Sequence, residues 1–248
     1  DLVGILNGVD YEEWSPERDR YLPVPYSAEF LAGKELNKQR LLTEWAGLPE
    51  AEAQAPVPLL GMVTRLTDQK GIDLLLHVLE PLVQRLAVRF ALLGSGAGPY
   101  ENFFRYLASR YSPQVFVYIG YNESLAHRII AAADFLLMPS RYEPCGLTQM
   151  YALRYGTIPI VRAVGGLRDT VRDYDPISGT GWGFCFADYT PEALFGTVQY
   201  ALSFYRAEPH WERLRRNAMA CDFSIRRSAE QYLQLFEWAL EKVRAERA

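Results

Sequence analysis

Five short loops hold most of the residues whose types and spacing could do chemistry. They are TRLTDQKG (64–71), GSGAGP (94–99), GYNES (120–124), PSRYEPCGLTQ (139–149) and RAVGGLRDT (162–170). In the first, Arg65 and Lys70 lie five positions apart and Gly71 closes the loop. A guanidinium offers a planar fork to phosphate oxygens, and an ammonium offers a compact point charge. Together they suit one diphosphate at the N-terminus of the following helix, where the helix dipole favours an anion. A solvated basic loop balanced by Asp68 and Asp73 is the other reading. In the fourth loop, Glu143 and Pro144 precede a helix expected from about Gly146. A carboxylate there can be a simple partner of the helix dipole. It can also hold sugar hydroxyls, while the backbone N–H groups of Gly146, Leu147 and Thr148 cradle a phosphate. Gly146 would let a ligand approach the backbone closely. Cys145, beside Glu143, reads as a small pocket-wall residue rather than a nucleophile.

Other candidates are weaker. GSGAG resembles a dinucleotide fingerprint only superficially: its spacing is not GxGxxG, and no acidic residue follows about twenty positions on after a strand. NAD binding is rejected on that ground. Gly165-Gly166, taken alone, reads as a simple turn. His77, His127 and His210 fall in separate helical stretches and none pairs at metal-ligand spacing, so packing or surface roles are expected and no metal ligand is assigned. Cys145, Cys185 and Cys221 are three, an odd number, and widely spaced. They form neither a disulfide framework nor a CxxC knuckle, which fits a reducing cytoplasm. Five tryptophans are dispersed and read mainly as core.

These loops need a scaffold that presents them on one edge. From Val57 onward, short apolar runs near 57–63, 88–93, 115–119, 134–138, 157–161 and 182–186 predict strands. Longer amphipathic stretches at 71–86, 99–110, 123–132, 146–155, 167–173, 191–205, 210–220 and 225–246 predict helices, with Pro81 breaking or kinking the first. Near-continuous apolar strands alternating with helices indicate an α/β fold, a Rossmann-like parallel sheet covered on both faces. Ligands of such sheets bind outside the carboxyl ends of the strands, where the five loops lie. Residues 1–50 differ: a Pro-bearing connector, then a helix over 27–47 with Ser27 as N-cap and Gly47 as stop. The expected division is 1–50 as connector and helix, and 51–248 as a Rossmann-like domain with C-terminal helices, which the resemblance described below makes a nucleotide-sugar-binding domain.

Composition bounds the class. The chain has 248 residues, 49% of them hydrophobic and 23% charged, with a formal net charge of −4. General disorder is excluded, and a dedicated nucleic-acid binder would be basic. No apolar run approaches a membrane span of about 18 residues, and the start is unlike a signal peptide. The chain begins at Asp1 rather than Met, which, with the resemblance below, suggests a fragment lacking an N-terminal part.

The runs GILNGVDYEEWSPERD (4–19), VTRLTDQKGIDL (63–74), the block from Gly120 to Val171 and GTGWGFCF (179–186) resemble the C-terminal half of bacterial glycogen synthases and plant starch synthases. The resemblance covers essentially the whole chain. It implies half of a two-domain GT-B enzyme. Such enzymes transfer glucose from ADP-glucose, or sometimes UDP-glucose, to the non-reducing 4-hydroxyl of an α-1,4-glucan with retention. It assigns Arg65 and Lys70 to the diphosphate, Glu143 to the active site with Gly146, Leu147 and Thr148 behind it, Tyr121 beside the adenine and Asn7 near the sugar. It implies no cofactor and an N-terminal domain that supplies much of the acceptor site. Many related retaining transferases have a second Glu eight residues after the first; Tyr151 stands there, as in the glycogen synthase branch. A stand-alone, non-catalytic nucleotide-sugar or glucan-binding module is the alternative.

Overall fold

All six short apolar runs form strands: β1 (Leu59–Val63), β2 (Arg89–Gly94), β3 (Val115–Ile119), β4 (Phe135–Met138), β5 (Ile158–Arg162) and β6 (Phe184–Phe186). They come from a computed structural model that describes residues 2–247. Every pairing is parallel, in the order β3-β2-β1-β4-β5-β6. The strand order reverses between β1 and β4, the switch point at which ligands of doubly wound sheets bind. The helices are α1 (Ala32–Glu44), α2 (Glu50–Ala53), α3 (Ile72–Arg85), α4 (Gly98–Arg110), α5 (Glu123–Ala132), α6 (Thr148–Arg154), α7 (Gly165–Thr170), α8 (Pro191–Leu202), α9 (His210–Met219) and α10 (Ile225–Arg247).

Alternation along the strands feeds two cores. Leu60 and Met62 of β1 pack with Leu75, Leu79, Phe104, Leu194 and Leu214 from α3, α4, α8 and α9. Leu59 packs on the opposite face with Leu41, Leu42, Leu125 and Ile129 from α1 and α5. Both faces are therefore covered, which explains why all of β2 and β4 is buried.

Three sequence expectations change. The first helix starts at Ala32, and Ser27 does not cap it: its hydroxyl bonds neighbouring Glu29 instead. Tyr26 is buried, its hydroxyl donating to the Tyr155 carbonyl at 2.8 Å, and its Cβ side presses on Gly33, which holds this stretch out of the helix. Pro81 does not break α3, which runs through it. The carbonyl deprived of a partner belongs to exposed His77, where water can serve it. The last strand shortens to three residues because Trp182 and Gly183 turn back to donate to the Arg172 carbonyl.

Two lysines of α1 lie buried beneath the sheet edge. Lys38 donates to Asp134 at 2.6 Å, and the same carboxylate oxygen accepts from the Leu59 N–H at 2.8 Å. Lys34 donates to the Ala131 carbonyl at 2.8 Å and to Thr157 Oγ1 at 2.6 Å. Burial pulls the Lys34 amine from 10.5 down to about 7. Between those values the unfolded chain binds the proton more tightly than the folded one, so the Lys34 contribution to stability increases as pH rises. Urea unfolding should show the parent gaining about 1 kcal/mol per pH unit relative to Lys34→Met from about pH 7 to 9, a comparison in which the buried thiols of Cys185 and Cys221, raised to about 12 by burial, cancel. Equal slopes in the two proteins would show that Lys34 stays charged when folded.

Candidate active site

The loop after β1 is shaped by its neighbours on both sides. Leu66 N–H donates to the Ser95 carbonyl at 2.9 Å, and Ala97 N–H donates to the Leu66 carbonyl at 3.0 Å. The glycine-rich segment at 94–98 thus extends the β1–β2 pairing and props up the Arg65 loop. The chain then makes one tight turn over Asp68–Lys70 and reaches Gly71 at φ +73°. A methyl group on Gly71 would lie 2.0 Å from the Pro139 carbonyl oxygen. Both the positive φ and this approach require glycine. The contact seats the β1 loop on the β4 loop, and Arg141 N–H donating to the Gln69 carbonyl at 2.9 Å joins them again.

The functional side chains meet at that seam. Lys70 Nζ donates to Glu143 Oε2 in a charge-assisted bond. Ser140 Oγ adds a longer bond to the same oxygen at 3.3 Å. The side chains are 17% and 6% exposed, so this charge pair is largely withdrawn from water. Arg65 is exposed on the rim of the same loop, its guanidinium donating to Gln69 Oε1 at 3.2 Å. Further along the rim, Arg141 pairs with Asp73 at 2.9 Å, Tyr189 donates to Asp73, and Arg141 and Arg162 lie over the Tyr189 ring.

The loop after β5 closes the other side. Gly166 N–H donates to the Glu143 carbonyl at 2.9 Å. A methyl group on Gly165 would lie 2.1 Å from that carbonyl oxygen, and one on Gly166 would lie 2.2 Å from the carbonyl oxygen of Cys145. The glycine pair is therefore a close-packing surface for the Glu143 loop, beyond the simple turn expected. Buried Gln149 fastens the loop from below, donating to the carbonyls of Cys145 and Gly146, both at 3.0 Å, and to Thr170 Oγ1 at 3.1 Å. Gly146, Leu147 and Thr148 come next, at the entry to α6, with Leu147 37% exposed.

The fold thus brings Arg65, Lys70, Glu143, Cys145, Gly146, Leu147 and Thr148 onto adjoining loops at one edge of the sheet. Tyr121 is on that edge too, 86% exposed just before α5. Asn7 lines a cavity of about 270 Å³ with Asp169 of α7, Trp182, Phe223 and Arg227. Ser140, Gln149 and the Arg141–Asp73–Tyr189 rim were not singled out from sequence. Ser140, three residues before Glu143, was the one with a readable signal.

A test of this loop stack is steric. Gly166→Ala should lower stability by about 1–3 kcal/mol, the range for overpacking. Gly98→Ala, where a methyl group meets nothing within 4 Å, should change it by less than about 0.5 kcal/mol. Denaturant midpoints of the two variants check this, and equal midpoints would undo the packing argument.

Comparison with known proteins places the chain in a wider group. Residues 49–219 match the family model "Glycosyl transferases group 1". The chain is 47% identical over 244 residues to a glycogen synthase of Koribacter versatilis, covering 98% of this chain and 49% of that protein. It is 48% identical over 242 residues to one from Geobacillus thermodenitrificans, again covering 98% and 49%. The chain spans about half the length of the curated relatives it matches. Among solved structures, the catalytic domain of starch synthase IV from Arabidopsis thaliana, bound to ADP and acarbose, superposes with a TM-score of 0.88 at 38% identity, over 96% of this chain and 49% of that one. A sucrose-phosphate synthase of Thermosynechococcus elongatus shares the fold, at TM-score 0.64 and 22% identity over 96% of this chain and 52% of that one.

Proposed function

The chain belongs to the group 1 glycosyl transferases, and from that premise we propose that it is the donor-binding half of a glycogen or starch synthase. In this reading the enzyme moves glucose from ADP-glucose to the 4-hydroxyl at the non-reducing end of an α-1,4-glucan, with retention. The observation that carries the proposal is the Lys70–Glu143 pair at the switch point, with Arg65 on the same loop. Two cations and one shielded carboxylate on adjoining loops suit a sugar diphosphate.

The chemistry follows from charge. Breaking the bond between the anomeric carbon and the phosphate oxygen leaves ADP with added negative charge. Fixed donors that meet charge as it develops lower that barrier most. Lys70, Arg65 and the amides entering α6 take this role. Glu143, held by Lys70 and Ser140, orients the sugar. The acceptor oxygen bonds the anomeric carbon from the face the diphosphate leaves, and its proton passes to the departing phosphate. The glucosyl unit has oxocarbenium character between the two events.

Transfer also needs the acceptor hydroxyl held about 3–3.5 Å from the anomeric carbon with water excluded. A sheet edge open to solvent does not do that, so the reading assigns the far wall of the cleft to an N-terminal domain outside these 248 residues. The exposed apolar side of α10 supports such a partner: Leu233 is 61% exposed, Phe236 58% and Leu240 56%.

Two expectations test the proposal. Calorimetry should show ADP binding to this chain, weakened by about 1.5–3 kcal/mol in Arg65→Ala and in Lys70→Ala, the range for hydrogen bonds to charged groups. Unchanged binding in both variants would remove the diphosphate assignment. Labelled glucose from ADP-glucose should enter glycogen only when the N-terminal domain is supplied, and there Glu143→Ala should lower kcat more than it weakens ADP binding. Turnover by the 248-residue chain alone would overturn the half-enzyme reading.

A further inference from the structure

A second cluster of reactive side chains, sharing no residue with the Lys70–Glu143 pair, lies where the N-terminal connector crosses the start of α5. His127 is fully buried on α5. Its Nδ1 lies 2.8 Å from Asp19 Oδ2, an oxygen that also accepts from the Tyr155 hydroxyl at 2.6 Å. Asp19 Oδ1 accepts from the Tyr21 N–H at 2.8 Å. The carboxylate acceptor selects the tautomer with its proton on Nδ1, in which Nε2 carries the lone pair. Nε2 is buried and has no hydrogen-bond partner among the described residues. One carboxylate oxygen of Glu13, one of Glu123 and a ring nitrogen of His127 all lie within 4.8 Å of one another.

Three electron-rich atoms converging on one point call for a positive charge between them. We propose that Glu13, Glu123 and His127 bind a divalent cation of the zinc type, clamping the connector to α5. The donor set fits that ion class, which takes imidazole nitrogen and carboxylate oxygen together. The ring is oriented as metal-bound histidines usually are, with its other nitrogen donating to a carboxylate. Its plane is fixed by Trp14, stacked at 3.6 Å, and by Tyr21 at 4.8 Å. Glu123 and His127 are one turn apart on the same helix face, while exposed Glu13 comes from the connector and can close onto the ion. Three protein ligands leave a fourth position for water. The other charge at hand is Arg20, exposed and bound to the Tyr21 hydroxyl at 2.8 Å, close enough to interact with both glutamates. It eases their repulsion but leaves Nε2 unpartnered.

The test is metal uptake by the chain, using zinc against a chromophoric chelator and cobalt for its absorption spectrum. One equivalent should bind, with cobalt bands free of thiolate charge transfer. Glu13→Gln and Glu123→Gln should each weaken uptake about tenfold or more, and zinc should raise Tm in the parent chain but not in Glu13→Gln. Both glutamates reach the surface, so these variants keep the fold and the result does not depend on replacing buried His127. No zinc uptake at about 100 µM free ion would mean that a proton on Nε2 fills the gap and would overturn the proposal, as would unchanged uptake in both variants or a thiolate band. ADP binding, which belongs to the other site, is read separately.

Discussion

Parallel pairing of β1 with β4 is the constraint on which the rest depends. The two strands sit at the centre of the sheet, in register Leu60 to Phe135 and Gly61 to Leu136. At their entry, Asp134 accepts from the Leu59 N–H and from buried Lys38, so the pairing is held by a charge fixed on α1. At their exit, Gly71 rests on Pro139 and Arg141 bonds Gln69. The next strands lie on opposite sides, β2 beside β1 and β5 beside β4, so this junction is the point at which the sheet's winding reverses. Lys70 and Glu143, far apart in sequence, meet only because this junction is pinned at both ends.

The buried charges at the seam are tolerable for an electrostatic reason. Removing one ion from water is expensive, but a close pair with an added hydrogen bond recovers much of that cost. Glu143 has Lys70 and Ser140 for its side chain and Gly166 for its carbonyl. Its backbone is wedged between two neighbouring loops, so the carboxylate cannot easily swing out to solvent. Preorganisation of this kind is what a site needs if its charges are to act without rearranging.

Much of this architecture was readable from periodicity, because strands buried on both faces must be apolar throughout and helices buried on one face must not. That the loops after β1 and β4 share one edge was readable too, because parallel strands put their exits on the same side, but Arg65, Lys70 and Glu143 admitted plainer readings, a solvated loop and a partner of the helix dipole. The role of Gly165 and Gly166 was not, because what they touch is the backbone of Glu143 and Cys145, and a backbone contact leaves no partner side chain to notice. Ser27 misled for a similar reason: it has the chemistry of a cap, but Tyr26, anchored on distant Tyr155, decides where α1 begins. Glu123 and His127 stand four apart in plain view, whereas Glu13 joins them only through the path of the connector.

That path also accounts for Tyr151. Trp14 of the connector stacks between His127 at 3.6 Å and Tyr151 at 3.8 Å, the latter ring nearly parallel at 2°. Tyr151 follows Glu143 by eight residues and belongs to α6, the helix that the Glu143 loop enters. A glutamate at 151 would place a carboxylate against the indole face, where it would lose water and meet the electron-rich side of the ring. A tyrosine there gains a stacking partner and couples the connector to the helix behind the site. An aromatic at 151 and an indole at 14 are thus one packing choice, and a charged residue at the first position is disfavoured by the second.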